Sequence, residues 1–281
     1  MNAFTLMPME QMIELNAGEI YRGSITVANP ADSTEDFYYT VGTVPYSVSG
    51  SEYEVNLAKK SNRSLMVDWI SIKEPTGVIH PNEVKTIEFT INVPETAPAG
   101  GQYAALAVRS DAPSDRLSGT NVQNIYEMVS VIFADVAGET VHDGQIVSNM
   151  ITGFVANGKA SVGAELVNNG NTHEVAEVTV EAKNAITGDV ILSNETTMNT
   201  YQEVIMPETS RYITREVDGM AGLGIYEVSQ SISYMGAVST NTTTVIVCPL
   251  WFMMLFILTI GTIIGTILAL IVKRRRAKKI V

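Results

Sequence analysis

The sequence is short of cysteine and of positive charge. Cys248 is the only cysteine in 281 residues, which excludes a disulfide within the chain and a cysteine-rich zinc site. Six of the 18 basic residues lie in the last nine positions, so the chain before them contains 12 basic residues and all 30 acidic ones. That part carries a net charge of −18, which repels phosphate backbones, and we expect no nucleic-acid partner. An exported domain with one thiol fits a bacterial surface better than a disulfide-rich animal ectodomain.

Motifs for catalysis and for metal binding are also lacking. The chain has no G-x-S-x-G elbow and no H-E-x-x-H pair. Its three histidines, His80, His142 and His173, fall in predicted turns or linkers, and we expect them at the surface. The acidic loop NPADSTED at 29–36 offers oxygen ligands for a hard cation, but its spacing is not that of an EF-hand. We therefore predict no enzyme, no metal site and no cofactor.

One long apolar run lies near the C-terminal end. Leu250–Val272 contains 23 residues without a charge, which at about 1.5 Å per residue crosses a hydrocarbon core of roughly 30 Å. We predict a single transmembrane helix. No L-P-x-T-G sorting signal precedes it, so we expect the helix itself to be the anchor. Gly261 and Gly265 form a G-x-x-x-G motif that allows helices to approach closely, although the same pattern arises by chance.

The residues after this run are basic and set the predicted orientation. The charged residues of the tail are Lys273, Arg274, Arg275, Arg276, Lys278 and Lys279. Basic residues beside a span mark its cytoplasmic side, so we predict a single-pass cell-membrane protein with extracellular N-terminal domains. The alternative is a tail-anchored protein with its bulk in the cytosol, which would place the basic tail on the far side of the membrane, against this bias. The opening MNAFTLMPMEQM lacks both regions of an export signal, and we expect that signal to be removed or missing from this chain.

Alternating apolar and polar residues dominate the part before the helix. In TIEFTINV, Ile87, Phe89, Ile91 and Val93 alternate with polar residues, as in a strand with one buried face. The runs IYRGSITVA, AEVTVEAK and IYEVSQSISY have the same period, and turns rich in Gly, Pro and Asn separate such runs. The pattern predicts an all-β fold, with two antiparallel Ig-like β-sandwich domains in series followed by a single C-terminal transmembrane α-helix.

The predicted domains are 1–138 and 139–246 for the two sandwiches, 247–272 for the transmembrane segment and 273–281 for the tail. The boundary lies in ADVAGETVHDGQ, where small and charged residues interrupt two apolar runs. Each half contains a strand that ends in an Asn-rich turn (VANPADS, LVNNGNTH) and a strand after a Pro turn (IHPNEVKTIEF, IMPETSRYITREV). A Gly-led strand follows (AGGQYAALAV, LGIYEVSQSI). These matches indicate a weak internal repeat.

The order of these motifs resembles a known family. FTLMPMEQMIELNAGEIYRGSITVANP, WISI and GVIHPNEVKTIEFTINVPETAPAGGQYAALAV resemble the first exported domain of the WxL-interacting proteins, which are surface proteins of Gram-positive bacteria. AELVNNGNTHEVAEVTVEAKNAITGDVI and VIMPETSR resemble their second domain. The resemblance implies a first domain that binds peptidoglycan and a second domain that binds surface proteins. It supplies no binding residues.

Three functional hypotheses follow. The leading one is a membrane-anchored extracellular binding and display protein that contacts cell-wall polymer and other surface proteins. The alternatives are a chaperone-like assembly subunit for secreted surface proteins and an accessory subunit of a larger membrane complex, held through Gly261 and Gly265. Strand addition at an exposed sheet edge is the expected mode of protein binding, but the sequence does not identify the edge.

Overall fold

The computed structural model describes residues 4–111, 125–191, 200–220 and 222–277, with side chains described as far as Val272. The elements in these ranges are β1 (Thr5–Met7), β2 (Glu10–Leu15), β3 (Ile20–Ala28), β4 (Phe37–Pro45), β5 (Ser47–Ser49), β6 (Glu54–Asn56), a 3-10 turn (Leu65–Asp68), β7 (Ile70–Ile72), β8 (Thr76–Ile79), β9 (Val84–Asn92), β10 (Gly100–Asp111), β11 (Glu127–Val136), β12 (Gly144–Ile151), β13 (Phe154–Val155), β14 (Ala160–Asn168), β15 (Glu174–Asn184), β16 (Val190–Ile191), β17 (Thr200–Ile205), β18 (Thr209–Val217), β19 (Gly224–Tyr234), β20 (Ala237–Val247) and α1 (Leu250–Ala277). The prediction of a mostly β chain with one C-terminal apolar helix is confirmed.

The chain divides into two compact units. Unit 1 contains 1–145 together with the segments 167–174 and 204–211, and unit 2 contains 146–166, 175–203 and 212–281. Two segments from the second half of the chain thus belong to unit 1. The predicted domain boundaries stay predictions.

Two larger sheets and the small antiparallel β5-β6 pair lie in unit 1. Sheet A has the strand order β1-β3-β9-β7, and sheet B has the order β2-β11-β10-β4-β8. The alternation of TIEFTINV explains the packing, since Ile87, Phe89 and Ile91 are buried while Glu88 is exposed. They share one core with residues of sheet B such as Leu106. Burial of these side chains is the main stabilising term, at about 1.5–3 kcal/mol each.

The sequence pattern predicts antiparallel pairing throughout, and two strand pairs depart from it. β2 runs parallel to β11, and β13 runs parallel to β20. The first exception arises because the N-terminal strand is divided between the sheets. β1 pairs with β3 in sheet A, and after Pro8 the chain joins sheet B as β2.

Sheet B is covered on both faces. β10 has nine consecutive buried residues, Gly100–Val108. Its second face carries an apolar cluster, called here the outer cluster, of Tyr103, Ala105, Val131, Phe133 and Met206 with the partly buried Val44, Tyr46, Val48, Tyr53, Leu57, Val129 and Val204. Strands buried on both faces have continuous apolar runs instead of alternation, which accounts for YAALAV and VSVIFADV.

The internal repeat has a structural counterpart in two buried asparagines. The amide of Asn29 donates to the carbonyls of Glu35 and Ile79 at 2.9 and 3.0 Å. The amide of Asn168 donates likewise to Thr172 and Ile205 at 2.8 and 3.0 Å. Each acceptor isoleucine precedes a proline turn, and Asn82 and Glu208 in these turns have φ of 62° and 60°. The two asparagines thus tie equivalent turns together, because a buried amide needs hydrogen-bond partners.

Unit 2 contains a sheet with the order β12-β14-β18 and a second sheet with the order β13-β20-β19-β15-β16, in which β17 also pairs with β15. Its core includes Val162, Val228 and Val245. On β17, the carboxylate of the buried Glu203 accepts from Arg215 at 2.6 Å. The guanidinium of Arg215 stacks on Tyr201, and burial raises the pKa of Tyr201 to about 12.

The C-terminal helix α1 is long and apolar enough to cross a membrane between Leu250 and Val272. From Met254 to Val272 every residue is exposed. A core helix of a soluble domain would instead be buried along one face at least. The helix continues to Ala277 and so into the basic segment.

Candidate partner-binding edge

Strand β11 lies one strand in from the edge of sheet B and packs on both faces. Met128 and Ile132 pack into the core between the sheets, whereas Val129, Val131 and Phe133 pack into the outer cluster. On one side β11 pairs with β10 along its whole length, from Glu127 opposite Arg109 to Val136 opposite Gly100. Both neighbouring layers therefore fix the backbone of β11 before any partner binds.

On its other side β11 is paired over only part of its length. β2 covers Val131–Val136, with Glu10 opposite Val131. Backbone groups of successive residues in a strand point to opposite sides. The amide of Ser110 donates to the carbonyl of Tyr126 on the β10 side, whereas the amide of Val131 donates to Met9 on the β2 side. The backbone N–H and C=O groups of the odd-numbered residues of β11 therefore point away from β10.

This alternation leaves Glu127 and Val129 with outward-facing backbone groups. Among the residues that the structure describes, none pairs with the N–H or C=O of either residue on that side. Four backbone groups, two donors and two acceptors, thus form an open edge. We call the segment Glu127–Ser130 the open half of β11. Unpaired groups of this kind are a template for a strand from another chain.

The surroundings of the open half are apolar and acidic. Ile125 precedes it and is 64% exposed, and Met9, at the start of the covering strand, is 48% exposed. Glu127 and Glu10 are both exposed. The charge of Glu10 adds to burial in raising the pKa of Tyr46 in the outer cluster. An incoming segment with apolar and basic side chains would match this edge.

The ring of His173 packs against the outer cluster. This ring lies 5.7 Å from the ring of Tyr103 and 5.6 Å from that of Phe133. The prediction of a surface histidine is wrong at this position, because His173 is half-buried in an aromatic cluster. Burial lowers the pKa of His173, although the carboxylates of Asp135 and Glu174 oppose the shift. Burial also raises the pKa of Tyr103.

We expect unit 1 to lose stability on acidification through His173. The unfolded histidine, with a pKa near 6.5, binds a proton more readily than the folded one, so the free energy of unfolding falls as pH drops below about 6.5. His80 acts in the opposite direction, because its hydrogen bond to Asp36 raises its pKa. In urea titrations at about pH 7 and about pH 5, His173→Gln should flatten the loss and His80→Gln should steepen it. An unchanged pH dependence in His173→Gln would contradict this assignment.

The other two histidines lie at the surface, as predicted. Nδ1 of His80 lies 2.8 Å from a carboxylate oxygen of Asp36, and Nδ1 of His142 lies 2.5 Å from Glu174. Asp36 belongs to the acidic loop that was considered for a cation. No group of three or more His, Cys, Asp or Glu in the described part of the chain is arranged to hold a metal ion.

The predicted roles of Gly261 and Gly265 in helix–helix contact and of the basic tail in anchoring stay predictions. Gly261 and Gly265 lie on α1, where a Cβ at either position would meet no atom within 4 Å. The hydroxyl groups of Thr262 and Thr266 donate to carbonyls one turn earlier on the same helix. Of the basic residues, Lys273, Arg274, Arg275 and Arg276 continue the helix, and Lys278 and Lys279 lie outside the described residues.

The open half of β11 could not be found by sequence reasoning. Residues 112–124, which precede it, lie outside the described residues, and which strand covers β11 depends on where β2 joins the sheet. One signal was available, since the stretch from Met128 to Val136 is apolar except for Ser130 and Asp135 and lacks the period-2 alternation of a strand with one buried face.

Comparisons with known proteins gave structural similarities only. No protein-family model matches the sequence, and no curated protein matches it. A chain from a chaperone–tip adhesin complex of CFA/I fimbriae biogenesis is similar over 88% of this chain and 100% of its own, with 14% identity and a TM-score of 0.42. The E. coli chaperone DraB matches over 86% and 96%, with 12% identity and a TM-score of 0.39. A chain of the CsuC–CsuE chaperone–tip adhesion subunit complex from Acinetobacter baumannii matches over 87% and 98%, with 12% identity and a TM-score of 0.41.

Proposed function

We propose that this chain is a membrane-anchored assembly subunit that binds an extended segment of another envelope protein by strand addition at the open half of β11. The observation that carries the proposal is the set of four backbone groups on Glu127 and Val129 that pair with no other described residue, held on a strand that is packed on both faces. Preorganised groups lose little conformational entropy on binding, which favours recruitment of a flexible segment. In this proposal the units are two Ig-like sandwiches and α1 is the anchor.

The small size of the open edge favours exchangeable binding over permanent display. Four backbone hydrogen bonds at about 0.5–1.5 kcal/mol each contribute about 2–6 kcal/mol. A free energy of about 4 kcal/mol corresponds to a Kd of roughly 1 mM. Side-chain contacts around Ile125 and Met9 strengthen this, but the contact stays in the range of a client that is bound and then handed on.

The membrane topology in this proposal places both units outside the cell. Its support is the exposed apolar helix followed by a basic segment, since basic residues stay on the cytoplasmic side. The affinity for WxL proteins and for peptidoglycan follows from the family resemblance alone and stays a prediction.

Pulse-labelling of exported proteins in cells that produce the chain tests the assembly role. The tagged chain is captured directly after the pulse and again after a chase. We expect labelled protein in the first sample and its release during the chase. A complex that persists at constant stoichiometry would contradict the assembly role and favour the display hypothesis, and capture of no protein would contradict both.

A further inference from the structure

Three exposed apolar residues lie side by side on unit 2. Phe154 of β13 is opposite Ile246 of β20, and Ile246 is opposite Ile225 of β19. Their exposed fractions are 52%, 47% and 42%. Neighbouring strands are about 4.8 Å apart. The three side chains therefore form one continuous row across the sheet.

This row lies on the outer face of its sheet. Val155, Tyr226 and Val247, which adjoin the three residues in sequence, are buried in the core of unit 2. Because successive side chains in a strand alternate between faces, Phe154, Ile225 and Ile246 point away from that core.

Two further exposed apolar residues lie near the row. Leu223, 53% exposed, lies just before the strand pair formed by Gly224 and Val247. Ile186 is 78% exposed, and the amide of its neighbour Ala185 donates to Ile225 at 2.9 Å. We call Phe154, Ile186, Leu223, Ile225 and Ile246 the apolar rim.

The rim lies where unit 2 continues into α1. β20 ends at Val247 and α1 begins at Leu250. The connection is held to the sheet, because the amide of Cys248 donates to the carbonyl of Val155 at 2.9 Å. Ile246 is four residues from the first helical residue, so at about 3.8 Å per residue it lies within roughly 15 Å of it.

The same face becomes polar away from the helix. The next outward pair, Glu227 and Thr244, is followed by pairs in which Ser229 contacts Thr242 and Ser231 contacts Thr240, each at 3.1 Å between hydroxyl oxygens. An aromatic residue at the start of α1, Trp251, is 60% exposed. Apolar residues at the anchored end, with an exposed tryptophan and hydroxyl groups beyond, match the polarity gradient of a membrane interface.

We propose that the apolar rim of unit 2 rests on the phospholipid surface of the membrane that α1 crosses. The inference depends on the membrane anchor of the proposed function but not on the partner-binding edge. The lipid surface is the favoured occupant because the tether keeps the rim at it whatever partner is present, and an exposed apolar patch of this kind otherwise lies open to water. Unit 2 is then held against the bilayer and does not swing freely on its helix.

Site-specific fluorescence of the full chain tests the proposal. In a Cys248→Ser background, an environment-sensitive dye is attached at Phe154→Cys or Leu223→Cys in the rim. Ser231→Cys, on the same face but far from the helix, is the matched control, and Thr262→Cys reports on the span. The chain is reconstituted in phosphatidylcholine vesicles, with and without phosphatidylglycerol, that contain lipids with a nitroxide at a shallow or a deep position.

We expect both rim dyes to be quenched severalfold more by shallow nitroxides than the dye at 231, and the dye at 262 to be quenched by deep ones. Rim dyes as accessible to aqueous iodide as the dye at 231, with deep quenching at 262, would overturn the rim proposal and leave the anchor intact. Rim dyes shielded from iodide but unquenched by lipid would also overturn it, in favour of a protein contact. Absence of deep quenching at 262 would overturn the anchor and the rim proposal together.

Discussion

We expect Val129→Pro to weaken partner binding strongly while the chain remains folded. The amide of Val129 points away from β10 and is open on the β2 side, so proline removes a donor that only an incoming strand would use. Proline is tolerated where the N–H of an edge faces solvent, and its ring also obstructs the approach of a partner backbone. Loss of one hydrogen bond and the added steric barrier should weaken binding by about tenfold or more, measured by capture of labelled clients.

The neighbouring position provides the matched control. Met128 lies opposite Val108 in the pairing with β10, and the alternation of the strand directs its amide into that ladder. Met128→Pro should therefore reduce the stability of unit 1, whereas Val129→Pro should leave thermal unfolding close to that of the unmodified chain. Full client capture by a folded Val129→Pro chain would remove the edge from the account.

The second large effect is expected from Gly101→Ala. A Cβ at Gly101 would lie 1.8 Å from the hydroxyl oxygen of Tyr103. Tyr103 is only 1% exposed and packs in the outer cluster, so the ring has little room to move. Overpacking of a filled core costs about 1–3 kcal/mol. We expect a loss of this size in denaturant unfolding of the chain in detergent, followed by near-ultraviolet circular dichroism.

Gly42→Ala is the control for the same substitution in the same sheet. No atom lies within 4 Å of a Cβ at Gly42 on β4. Alanine restricts the unfolded chain, so this variant should be neutral or more stable by about 0.4–1 kcal/mol. Equal destabilisation by both variants would show that loss of glycine, and not the collision with Tyr103, is responsible.

Period-2 patterns predicted those strands of which one face is buried. The alternation of Ile87, Phe89 and Ile91 in β9, and of Tyr226 and Val228 in β19, matches their burial in the structure. The apolar run from Leu250 predicted α1 for an equally simple reason, because length and composition alone define it.

The features that escaped prediction depend on long-range pairing. β10 and β11 are buried on both faces because segments remote in sequence, such as 204–211, cover sheet B. The sequence predicts His173 in a surface turn, yet its burial depends on Tyr103 and Phe133, which are far away along the chain. The open half of β11 likewise depends on β2 joining its second half in parallel, a choice that local pattern does not encode.

Hydrogen exchange of individual backbone amides tests the central claim most directly. The chain is compared alone and in complex with a captured client, with Val131 as an internal reference because its amide already donates to Met9. The account predicts that the amides of Glu127 and Val129 exchange rapidly in the free chain and become protected in the complex, while Val131 is protected in both. A complex in which Glu127 and Val129 exchange as fast as in the free chain would contradict strand addition at this edge.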